Sequence, residues 1–80
     1  MTRKYAVIYE KGPESFGAHV PDLPGCVAAG ESFEATETLI REAIELHLAT
    51  LREDGKPVPE PVTTCDYVEA AISDEARIPS

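Results

Sequence analysis

Val20-Pro21-Asp22-Leu23-Pro24-Gly25-Cys26-Val27-Ala28-Ala29-Gly30-Glu31 is the stretch on which the fold turns. It sets two prolines and two glycines in a tight connection between apolar runs, and an amphipathic pattern of helical period follows almost at once. Proline locks φ and glycine admits φ > 0, so each of these positions demands a particular backbone shape. Side chains suited to catalysis are nearly absent. The stretch therefore reads as rigid scaffold, with Pro21, Asp22, Leu23, Pro24, Gly25 and Cys26 as a structural motif. Asp22 is expected to accept backbone hydrogen bonds as an Asx-turn residue. The competing reading has this loop touch a partner directly.

Upstream, residues 4–10 read as a strand, with Tyr5, Val7 and Tyr9 on one face and Ala6 and Ile8 on the other. Both faces are apolar, which predicts a central strand. Lys11-Gly12-Pro13-Glu14 is a turn, and residues 15–20 form a second strand that turns Phe16, Ala18 and Val20 to the core. Residues 26–30 make a short third strand, in which the small Ala28 and Ala29 allow close packing from above. Downstream, Ser32 is an N-cap, and Glu34 and Glu37 suit the positive end of a helix dipole. Leu39, Ala43 and Leu46 form one apolar row; Ile40, Ile44, His47, Leu48 and Leu51 form the next. The combined stripe predicts a helix covering one face of a small sheet. Asp54-Gly55 ends it and Pro57 prevents its resumption.

Pro57, Pro59 and Pro61 recur at alternate positions, which predicts a stiff extended connector that does not pair in a sheet. Residues 63–71 alternate Cys65, Tyr67 and Glu69 against Asp66, Val68 and Ala70, which predicts a fourth strand. The result is an α+β fold of order β-β-β-α-β. It comprises an antiparallel three-stranded meander, one helix packed on the sheet, and a right-handed crossover that sets the fourth strand beside the first and parallel to it. Residues 1–72 form the domain and residues 73–80 a polar tail.

Eighty residues carry 15 acids against 7 lysines and arginines, a formal net charge of -8. Such a surface repels nucleic acid, whose binding requires neutralised phosphates; it suits a basic protein partner or serves solubility. A chain this short buries only ~60% of its unfolded surface, so a dimer or tetramer is expected to add stability. Cys26 and Cys65 fall in no metal-spaced cluster and read as reduced thiols of a cytoplasmic protein. Met1-Thr2-Arg3-Lys4 is basic, but an alternating run follows it and not the apolar core of a signal peptide. No apolar stretch approaches the ~20 residues of a membrane span.

The hairpin opening, the Pro-Asp-Leu-Pro-Gly-Cys hexapeptide, Gly30-Glu31-Ser32, Glu34-Ala35 and Val58-Pro59-Glu60-Pro61 together resemble the HicB-like antitoxin family, over roughly residues 5–68. The resemblance implies a partial ribonuclease H-like fold, consistent with the order above. It implies as partner a small basic RNA-cleaving toxin, HicA, whose catalytic histidine the antitoxin covers. Many members add a C-terminal DNA-binding module, a helix-turn-helix or a ribbon-helix-helix. Only a dozen residues follow Val68, so no direct nucleic-acid binding is expected of this chain. The alternative is an orphan homo-oligomeric module with no toxin, binding itself, another protein or a small ligand.

Against this reading stands hydrolytic chemistry. A ribonuclease H-like centre needs carboxylates converging on Mg²⁺, and Glu10, Asp66 and Glu69 are dispersed by the strand pattern. His19 and His47 lack a nucleophile motif around them and the three or four ligands a zinc site requires. No enzyme, cofactor or metal is expected. The residues expected to meet a basic partner are the helix acids Glu34, Glu37, Glu42 and Glu45, which otherwise form a solvated face. Glu37 can pair with Arg41 one helical turn on.

Overall fold

The computed structural model describes residues 2–72. Strands β1 (Ile8–Lys11), β2 (Phe16–His19) and β3 (Val27–Gly30) form an antiparallel sheet of order β1-β2-β3, followed by the 21-residue helix α1 (Phe33–Glu53). Ile8 pairs with His19 and Lys11 with Phe16; His19 in turn pairs with Val27 and Phe16 with Gly30. The rows Tyr9–Ala18–Ala28 and Ile8–His19–Val27 therefore lie on opposite faces.

The first strand is at an edge, where its two apolar faces predicted a centre; β2 is central. Pairing stops at Ile8–His19, because the chain beyond His19 turns and offers residues 4–7 no ladder. That turn is double. Leu23 N–H donates to Val20 carbonyl at 3.1 Å and Cys26 N–H to Leu23 carbonyl at 3.0 Å, so two β-turns share Leu23. Pro21 and Pro24 occupy the second position of each, where φ near −65° is required. Gly25 has φ of 85°, the value the third position of a type II turn demands. A bond from Val20 N–H to Cys26 carbonyl, 3.2 Å, closes the loop. Leu23 is driven fully inside, with Ala18, Val20, Cys26 and Ile40 around it as the core.

The entry to α1 is equally specified. Ser32 Oγ accepts from Ala35 N–H at 3.1 Å, an N-cap bond. The buried Thr36 hydroxyl donates to Ser32 carbonyl at 2.7 Å and reaches Phe16 carbonyl at 3.4 Å. Gly30 makes this possible, since a Cβ there would stand 2.8 Å from Thr36 Oγ1 and 3.0 Å from its nitrogen. At the other end Gly55, φ 70°, donates to Arg52 carbonyl and Lys56 N–H to Leu51 carbonyl, a Schellman motif.

The helix lies over β3 and β2, leaving the β1 backbone farther out. Phe33 reaches across to stack on Tyr9, centroids 4.5 Å apart, with Phe16 edge-on at 6.4 Å. The helix stripe is only partly covered. Ile40 is buried and Ala43, Ile44 and Leu48 pack beside the core, but Leu39 is exposed and Leu46 is 69% exposed. Four-residue strands are too short and too few to cover both rows.

Residues 63–71 form no strand here, and among the described residues the sheet has three strands. After Gly55 the chain runs extended through its alternate prolines and is pinned twice. Tyr5 hydroxyl donates to Pro59 carbonyl at 2.6 Å, and Arg3 donates to the carbonyls of Val58 and Pro59 at 3.4 and 3.3 Å, with an ion pair to Glu60 at 3.4 Å. Asp22 then takes the next residues. Tyr5 stands at the start of the first strand and Asp22 beyond the end of β2, so the connector crosses the end of the sheet and does not turn up along β1. The expected tail, residues 73–80, lies outside the described residues.

Candidate functional site

Four surfaces bear polar or apolar groups without a partner inside the fold. The first is the outer side of α1. Glu34, Glu42 and Glu45 are exposed there, spread over about 80° of the helix at 100° per residue. Glu37 is exposed too but stands apart, turned toward β1, where it lies 4.0 Å from Arg41. Glu34, Glu42 and Glu45 thus lie on one side of the helix, and Glu45 and Glu37 both border a groove. Glu37 and burial both act on Tyr9 there: burial first, then the carboxylate, raise the phenol pKa, while Arg41 opposes them.

That groove is the second surface. It is about 640 Å³, open, and lies between the first strand and α1. Its floor is apolar (Tyr5, Val7, Tyr9, Ile40, Ile44 and Leu48) and its rim is mixed, Arg3, Lys4 and Arg41 with Glu37 and Glu45. The outer edge of β1 beside it is unpaired among the described residues. A smaller groove of about 380 Å³ flanks α1 on the β3 side, where Leu46 and Val27 stand in the open. His47 lines it together with Cys26 and Thr50, and no hydrogen bond joins His47 to either.

The third surface is the sheet face opposite α1, which carries the Ile8–His19–Val27 row. The fourth is the C-terminal segment, in which Tyr67, Val68 and Ile72 are 98%, 88% and 97% exposed.

Asp22 acquires its role from this last segment. Its carboxylate accepts from Val62 N–H (3.1 Å), Thr63 N–H (3.0 Å) and Thr63 hydroxyl (2.8 Å). The bonds to Thr63, and then to Val62, hold its pKa below the ordinary carboxylate value against a smaller opposing cost of desolvation. The sequence predicted backbone donors for Asp22, but in its own loop; they come instead from a segment 40 residues away. The loop's own turns are closed by backbone bonds, which frees the side chain. The Tyr5 and Arg3 contacts to Pro59 have no local sequence signal either.

Among the described residues no three His, Cys, Asp or Glu side chains converge. Asp66 accepts from the neighbouring Tyr67 N–H at 2.7 Å. Cys26 is buried, which raises its thiol pKa, and Cys65 is exposed. No helix among these residues is long and apolar enough to cross a membrane.

Comparison with known proteins gives this scaffold a family. A family profile described as "HicB_like antitoxin of bacterial toxin-antitoxin system" matches residues 5–78. A UPF0150 protein of Helicobacter pylori is 45% identical over 47 residues, 59% of this chain and 65% of that protein. A UPF0150 protein of Synechocystis is 39% identical over 57 residues, 70% of this chain and 72% of that protein. An uncharacterized 14.9 kDa protein of Haemophilus phage HP1 is 32% identical over 56 residues, 70% of this chain, and the match spans 42% of the phage protein. No solved structure matches. With the profile spanning nearly its whole length, the chain belongs to the HicB-like antitoxins of bacterial toxin–antitoxin systems.

Proposed function

We propose that this chain binds and neutralises a small basic RNA-cleaving toxin of the HicA type in the cytoplasm. The observation that carries the reading is the family match over residues 5–78. The net charge of -8 supports it, because a protein that grips RNA must itself be basic. Glu34, Glu42 and Glu45 on the outer side of α1, with Glu37 nearer β1, would stand where RNA phosphates otherwise lie. Inhibition would then be steric and electrostatic, and complementary charge would speed the encounter.

The mechanism needs no catalytic residue, metal or cofactor from this chain, and no contact with nucleic acid. The three-stranded sheet with its helix corresponds on this reading to a partial ribonuclease H-like fold used as a binding scaffold. Pro21, Asp22, Leu23, Pro24, Gly25 and Cys26 serve that scaffold. The double turn seats Leu23 in the core, and Asp22 anchors the C-terminal segment.

Co-expression with the product of the neighbouring gene, followed by pull-down, tests the claim. The expected result is a salt-sensitive complex with a small basic protein. A neighbour that is not basic, or that is not retained, removes the main support. The open edges and exposed segment favour a second reading, a homo-oligomeric module, which leads to a more specific inference.

A further inference from the structure

We propose that residues 65–72 of one copy add as a strand to the open outer edge of β1 in a second copy, and that the exchange is reciprocal. Three observations meet in this. The segment has strand alternation and touches little of its own fold, with Tyr67, Val68 and Ile72 almost fully exposed. The β1 edge is unpaired, with a 640 Å³ apolar-floored groove beside it that α1 does not cover. Between the two, the connector is held to a path across the end of the sheet by Tyr5, Arg3 and Asp22.

An unpaired edge offers a row of N–H and C=O groups, and adding a strand there satisfies them. Length suffices: the four residues of β1 offer about 13 Å of edge, and the eight extended residues of the segment span about 26 Å, enough to pair along β1 and run on beside residues 5–7. Charge fits as well. The segment contains Asp66 and Glu69 and no base, and the groove carries Arg3, Lys4 and Arg41 against Glu37 and Glu45, a net positive lining, with Lys11 ending β1. Val68, Ala70 and Ile72 share one face of such a strand and would enter the groove over Val7, Ile40 and Ile44, with Asp66 on the same face at the segment's start. The β3 edge is the poorer acceptor, since its groove is smaller and holds Asp54 beside its one base, Lys56. The connector explains why the partner is a second copy. Pro57, Pro59 and Pro61 each fix φ, and a stiff extended hinge favours exchange between protomers over closure on the same chain.

The inference concerns the purified chain alone and stands or falls separately from toxin binding. Light scattering after size exclusion, at tens of micromolar chain, should give twice the 8.7 kDa monomer mass, with the amides of residues 66–70 exchanging at least about tenfold slower than unstructured ones. Val68→Pro removes a ladder donor at an 88% exposed position of the chain's own fold. It should return the mass to that of one chain with helix content unchanged, and Val68→Asp, which puts a carboxylate into the groove, should do the same. A monomeric wild type overturns the proposal, whether its segment exchanges freely or is protected by folding onto its own edge. So does a dimer that both variants leave intact.

Discussion

Gly30 and Asp22 show how single residues fix this chain. Gly30 is where α1 meets β3, and Thr36 occupies the space a side chain would need. Gly30→Ala should cost about 1–3 kcal/mol by denaturant titration, the usual cost of overpacking. Gly17→Ala is the control: the nearest atom to its Cβ would be 4.0 Å away, so the change should stay within about 0.5 kcal/mol. Asp22 makes a pH prediction. Its folded pKa is lowered by its bonds to Thr63 and Val62, so its contribution is fully present above the ordinary carboxylate value of about 3.9. That contribution is lost as pH falls through the lower folded value. Acid titration followed by the amide resonances of Val62 and Thr63 should show both released together below about pH 4. Asp22→Ala should release them at neutral pH.

At the scale of elements, the helix is held by one side and shown by the other. Ile40 is buried against Leu23 and Val20, so Ile40→Ala should cost about 2–5 kcal/mol. Leu46 is 69% exposed, and Leu46→Ala should change stability by about 0.5 kcal/mol or less. The hairpin, the third strand and both caps of α1 were legible in the sequence because their causes are local: alternation, Ser32, Gly55, and the paired prolines of the double turn. The edge position of β1 was not. Apolar faces on both sides suggested a centre, but Tyr5 and Val7 face the helix from beyond the ladder, and Ile8 is left partly exposed. The stripe expected to cover one sheet face is wider than the sheet it meets: Leu39 and Leu46 stay exposed because strand length, and not helix periodicity, limits what a sheet can cover. The fourth strand was misplaced for a third reason. Its alternation is real, but its course is set by Asp22 and Thr63, which no local pattern links.

The whole molecule is elongated, with a Cα radius of gyration of 16.9 Å against about 12 Å for a compact chain of this size. The C-terminal segment contributes to the excess, with Tyr67, Val68 and Ile72 standing clear of the core. The charge of the molecule is one-sided, 15 acids to 7 bases. The acids that the helix pattern singled out run from the outer side to the β1 groove: Glu34, Glu42 and Glu45 share the outer side, and Glu45 and Glu37 border the groove. Replacing the first three together by lysine takes the net charge from -8 to -2 and should slow association with a basic partner about tenfold or more and flatten its salt dependence. Stopped-flow mixing at two ionic strengths measures both, and an unchanged rate would place the interface elsewhere.

The central claim is neutralisation, and RNA cleavage by the neighbouring gene's product, titrated with this chain, measures it most directly. Neutralisation requires that cleavage fall in proportion to added chain and stop near a fixed stoichiometric ratio. Cleavage that persists with the chain in clear excess would contradict it.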